Sequence, residues 1–178
     1  MSGTKKALDL SDGFLETFLS TLCMESDKEI VRQIVKRFVD CGLPVKTKQY
    51  DQPCMEGTFR ILCYIKKSAE AVIINNKGMG RDGMSIQVRI DDRSTFDKID
   101  SFSQNIKSQI LGAGNCGYCS SKCDDKKYVF SHQGSEYVKC HFICNNFSFQ
   151  NIKDNDVSGI IDIINNEIAY RKQMEAAK

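Results

Sequence analysis

Cysteine is concentrated in one short part of this chain, and that concentration constrains the fold more than any other feature. The chain has 178 residues and nine cysteines, and five of these lie between Cys116 and Cys144. An even spread would place only about one or two cysteines in a stretch of that length. The five follow the spacing Cys116-x2-Cys119-x3-Cys123-x16-Cys140-x3-Cys144. Thiolates two or three residues apart can converge on one ion at Zn–S distances of about 2.3 Å, so the spacing predicts a shared site.

Four of these cysteines are the predicted ligands of one metal ion: Cys116, Cys119, Cys123 and Cys140. The first three form a knuckle whose neighbouring glycines leave the backbone free to wrap around an ion. The fourth stands at the end of a predicted hairpin, where the returning strand can close a tetrahedral site as in small zinc ribbons. Cys144 competes with Cys140 for the fourth position.

Two histidines, His132 and His141, are reserve ligands for this site. His141 directly follows Cys140, so on a strand its side chain would point to the opposite face. A different interpretation is that the cysteines are small buried hydrophobic side chains, and a third is that they carry out redox chemistry.

Zinc is the first choice of metal, and a [4Fe–4S] cluster is the alternative. Three closely spaced cysteines and a remote one also suit such a cluster. The ferredoxin motif continues to proline after its third spacing, whereas Asp124 follows Cys123 here. The order x2 then x3 is also the reverse of the order in radical enzymes that use S-adenosylmethionine. These two departures favour zinc.

The four cysteines outside the cluster are Cys23, Cys41, Cys54 and Cys63. Cys23 and Cys41 lie beside apolar helix faces or helix ends, so we expect them to be buried. Cys54 follows Pro53 and is the expected exposed thiol. A nucleophilic role would need a base, and the only two histidines lie near the metal segment.

Helical periodicity marks both ends of the chain and its middle. Apolar residues three and four apart predict a helix near residues 12–24 and a second helix from Ser26, which begins a capping box with Glu29. The two would form a helical hairpin. The same periodicity predicts helices over 96–110 and 156–171.

Strand signals lie between these helices. Segments rich in β-branched and aromatic residues predict strands at 45–50, 58–65, 71–74, 84–90, 128–131 and 136–143. The first four would form an antiparallel meander, and Gln133-Gly134 would join the last two as a hairpin. Neighbouring strands without helical crossovers favour an α+β fold. We expect one domain over residues 1–178, with residues 112–150 as its metal-binding subregion.

A glycine motif precedes one of these strands. Gly78-Met-Gly80-Arg-Asp-Gly83 matches G-x-G-x-x-G, but the dinucleotide-binding motif requires a helix next, and the predicted strand 84–90 follows instead. The glycines are better interpreted as positive-φ positions of a hairpin loop.

Charge and targeting signals restrict the setting in which the chain works. Lys and Arg number 25 against 23 Asp and Glu, a formal net charge of +2, which argues against a dedicated nucleic-acid binder. No apolar run has signal-peptide length or approaches the ~18 residues of a membrane helix. We therefore expect a cytoplasmic protein with no membrane partner, whose thiols stay reduced. Its partner, a protein or a small molecule, is not identified by the sequence.

The C-terminal part of the chain resembles a loose group of uncharacterised proteins from anaerobic Firmicutes. The resemblance rests on Cys116-Gly-Tyr-Cys-Ser-Ser-Lys-Cys123, Tyr128-Val-Phe, Glu136-Tyr-Val-Lys-Cys140-His-Phe and the terminal amphipathic helix, about a third of the chain. It implies a shared cysteine site in a cytoplasmic bacterial protein and no particular activity.

The sequence thus favours a non-enzymatic protein that binds a structural zinc ion. An iron–sulfur enzyme or sensor is the alternative, and a zinc-knuckle module that binds nucleic acid or protein is a further one. Because neither the knuckle nor the hairpin has much apolar content, we expect loss of the metal to loosen residues 112–150.

Overall fold

The computed structural model describes residues 13–50, 57–66, 69–77, 83–113, 127–140 and 146–177. The elements in chain order are α1 (Phe14–Ser20), α2 (Glu25–Asp40), β1 (Val45–Tyr50), β2 (Thr58–Lys66), β3 (Ala69–Asn75), β4 (Ser85–Arg89), α3 (Ser94–Asp97), a 3-10 turn (Ile99–Ser101), α4 (Gln104–Gly112), β5 (Lys127–His132), β6 (Ser135–Cys140), β7 (Asn146–Gln150) and α5 (Asp154–Ala176). The predicted α+β class is confirmed.

The strands form two sheets. The larger has the order β1-β2-β3-β4-β7, and the smaller is the β5–β6 pair. β1 pairs with β2, and β2 with β3, in antiparallel register, as the predicted meander requires. β7 was not predicted as a separate strand. It joins the larger sheet because Phe147 and Phe149 alternate with polar residues and are both buried.

The chain divides into two compact units, Met1–Ile86 and Gln87–Lys178. This division does not measure whether the units unfold together, so the single domain over residues 1–178 stays a prediction.

In the first unit, the apolar stripes of α1 and α2 are buried, and the two helices contact β2 and β1 respectively.

The predicted start of α2 was wrong: the helix begins at Glu25, and Met24 is its N-cap without a side-chain hydrogen bond. Ser26 therefore lies inside the first turn. Glu25 forms an ion pair with Lys28 at 3.0 Å, and the two acidic side chains of that turn, Glu25 and Asp27, suit the positive end of the helix.

In the second unit, the single helix predicted over 96–110 is broken. α3 and the 3-10 turn precede an extended Phe102, and α4 starts anew with Ser103 as N-cap, whose Oγ accepts a hydrogen bond from the Ile106 amide at 3.2 Å. The apolar residues of the predicted face are nonetheless all buried, namely Phe96, Ile99, Phe102, Ile106 and Ile110. The burial pattern was correct although the helix was not continuous.

Asp156 explains where the break falls. Its fully buried carboxylate accepts hydrogen bonds from the Ser103 hydroxyl, the Asn105 amide group at 2.6 Å and the Lys153 backbone amide at 2.9 Å. It therefore joins the start of α4 to the start of α5. Burial by itself would raise the pKa of Asp156, but the hydrogen bonds from Ser103, Asn105 and Lys153 hold that pKa below its usual value.

We predict that Asp156→Ala lowers the free energy of unfolding by about 3 kcal/mol, because it removes the shared acceptor of three part-buried hydrogen bonds. Asp162→Ala, an exposed position on the same helix, should change it by less than about 0.5 kcal/mol. Urea denaturation of both variants measures this difference.

The Asp156 contribution should also depend on pH. Because the folded-state pKa lies below the unfolded one, the contribution is complete above the unfolded pKa and is lost as pH falls through the folded pKa. The gap between the wild type and Asp156→Ala should therefore narrow on acidification. A gap that stays constant or widens would contradict this assignment.

Candidate metal centre

Most of the predicted metal ligands lie outside the described residues. This holds for Cys116, Cys119 and Cys123, and also for Cys144 and His141. Cys140 is the last residue of β6, and its backbone is described but its side chain is not. Within the described ranges, no three His, Cys, Asp or Glu side chains come together as a metal-ligating group. The four-cysteine site therefore stays a prediction.

The predicted hairpin that leads to Cys140 is present. β5 and β6 pair in antiparallel register from His132 opposite Ser135 to Lys127 opposite Cys140. Gln133 and Gly134 form the turn, with positive φ angles of 49° and 76°. Two successive positive φ angles are typical of two-residue hairpin turns, whose twist matches that of the flanking strands. β6 is described over Ser135–Cys140, and the rest of the predicted strand, residues 141–143, lies outside the described residues.

The register places His132 and Cys140 at opposite ends of the hairpin. Ser135, the partner of His132, lies five positions before Cys140, which corresponds to about 17 Å along a strand. The His132 side chain is also buried, with its Nδ1 3.6 Å from an oxygen of Asp100. His132 is therefore too far away to serve as a reserve ligand beside Cys140.

The chain on both sides of the cysteine knuckle is held at the Cys140 end of the hairpin. On the C-terminal side, Lys127 lies directly opposite Cys140 in the ladder. On the N-terminal side, the Nζ of Lys139 donates hydrogen bonds to the carbonyl oxygens of Leu111, at 3.1 Å, and of Ala113. Residues 113 and 127, which border the segment with three of the predicted ligands, are thus both adjacent to the end of β6.

Lys139 was missed by the sequence analysis. A lysine in a short strand is ordinarily expected to be exposed, yet Lys139 is only 3% exposed. Its ammonium group lies at the C-terminal end of α4, where backbone carbonyls give the helix a partial negative charge. No sequence signal distinguishes it from the other lysines, because these two hydrogen bonds go to backbone atoms of a distant element.

The hairpin has its own contacts within the second unit. Phe130 stacks on Phe96 with ring centroids 4.7 Å apart and on Tyr137 at 5.4 Å. Such offset ring pairs stabilise beyond the apolar area they bury. Although the hairpin has little apolar content, it packs through these aromatic rings. Its strands have one packed face and one face that exposes Val129.

A second group of buried charges lies on α5. The carboxylate of Glu167 accepts hydrogen bonds from the backbone amides of Asp91 and Asp92 at 2.8 and 2.7 Å. Arg171 contacts an oxygen of Asp91 at 3.0 Å and one of Glu167 at 3.4 Å. Burial raises the pKa of Glu167, and the two backbone hydrogen bonds partly offset that rise. Both carboxylate oxygens of Glu167 have partners in this group, which supports a structural role.

The structure describes three of the four cysteines outside the cluster. Cys63 is fully buried, and burial raises the pKa of its thiol so that it stays protonated and unreactive. Cys41 is half-buried, but Cys23 is exposed, so its expected burial was wrong. Cys54 lies outside the described residues.

The glycine motif is followed by a strand, as predicted. β4 begins at Ser85, and Gly83 has a φ of 104°, a conformation that favours glycine. No helix starts there to bind a pyrophosphate at its N-terminus. Residues 78–82 of the motif lie outside the described residues.

No known protein family, no curated protein and no solved structure matches this chain. In the part of the chain that the structure describes, no helix combines the length and the apolar character needed to cross a membrane.

We predict that Phe130→Ala lowers the free energy of unfolding by about 2 kcal/mol, because it removes the ring between Phe96 and Tyr137. Val129→Ala, one residue away on the exposed face, should cost less than about 0.5 kcal/mol. Chemical denaturation followed by circular dichroism tests the pair. Equal effects would show that the stacked face does not hold the hairpin.

Proposed function

We propose that this chain is a non-enzymatic protein that binds one zinc ion through Cys116, Cys119, Cys123 and Cys140. The observation that supports this most is the arrangement around the end of β6. Lys139 holds Ala113 there, and the ladder holds Lys127 opposite Cys140.

The segments that connect this arrangement to the three other cysteines are short. Cys116 follows Ala113 by three residues, and Cys123 precedes Lys127 by four. Since a residue spans at most about 3.6 Å, both ends of the knuckle begin within a short reach of Cys140. Bringing four ligands together then costs little loop-closure entropy, because the fold already holds residues 113 and 127, which border the cysteine segment, near each other.

The ligand chemistry supports a structural ion rather than a catalytic one. Four thiolates fill the tetrahedral coordination of zinc and leave no position for water or substrate. They also give the site a formal charge of about −2, which makes the ion a poor Lewis acid. A closed site of this kind stabilises the segment that supplies its ligands.

The stabilised segment is narrower than residues 112–150. β5 and β6 are held by the Phe96–Phe130 stack and by Lys139, and β7 by the burial of Phe147 and Phe149. These contacts do not involve the predicted ligands. We therefore assign to the ion the role of joining the cysteine knuckle to a hairpin that is folded without it.

Metal analysis of anaerobically purified protein tests the proposal. We expect one zinc per chain and no visible absorbance, since zinc is d¹⁰ and colourless. About four irons per chain, with absorbance near ~400 nm, would replace zinc by a [4Fe–4S] cluster. Protein made with zinc and iron available that holds neither metal would contradict the site itself.

We predict that Cys119→Ser abolishes stoichiometric zinc binding, whereas Cys23→Ser, at an exposed cysteine outside the cluster, leaves one zinc per chain. In the zinc-free variant, the amides of β5, β6 and β7 should keep their slow hydrogen exchange. Loss of that protection throughout residues 127–150 would show that the ion holds the hairpin as well, and normal zinc content in Cys119→Ser would remove Cys119 from the ligand set.

A further inference from the structure

We draw no further inference here: the strongest candidate, the buried side-chain amide of Asn75 at the end of β3, has an Oδ1 without a hydrogen-bond partner among the described residues, and nothing in that part of the chain shows what ligand would meet it.

Discussion

Lys139, Asp156, Glu167 and Arg171 are charged side chains that water hardly reaches, so each must find its partners within the protein. Lys139 and Glu167 use backbone groups of distant segments, the last turn of α4 and the turn after β4 respectively. Asp156 instead uses the side chains of Ser103 and Asn105 at the start of α4. Removing one partner leaves a buried charge uncompensated, and the cost exceeds the net value of the interaction. These requirements decide which segments of the second unit lie next to each other.

The hairpin shows the functional consequence of this arrangement. Its packed face is held by aromatic rings, while Lys139 fixes the end at which Cys140 stands. None of these side-chain contacts involves a predicted ligand. A zinc site built on this hairpin stabilises the ligand segment locally, whereas in small zinc fingers the metal supplies the folding free energy of the whole domain.

Local patterns predicted most of the elements, because helix and strand periodicities reflect which side chains a single element buries. They failed where an interaction between elements decided the outcome. The helix over 96–110 was predicted as continuous because its apolar spacing is continuous, and the bond between Ser103 and Asp156 that accompanies the break at Phe102 spans 53 residues. The capping box at Ser26 failed for a local reason, since ion pairs of Glu25 favour starting the helix two residues earlier, with Met24 as the N-cap.

The sequence by itself determined the α+β class, the burial of the apolar faces, the hairpin at Gln133-Gly134 and the candidate ligand set, because each follows from residue type and short spacing. Only the tertiary structure decided that Ala113 and Lys127 both lie near the end of β6 and that Lys139 is buried. The physical reason is that these facts depend on hydrogen bonds and charge compensation between residues tens of positions apart. Residue type and short spacing carry no information about which distant backbone group a side chain will meet.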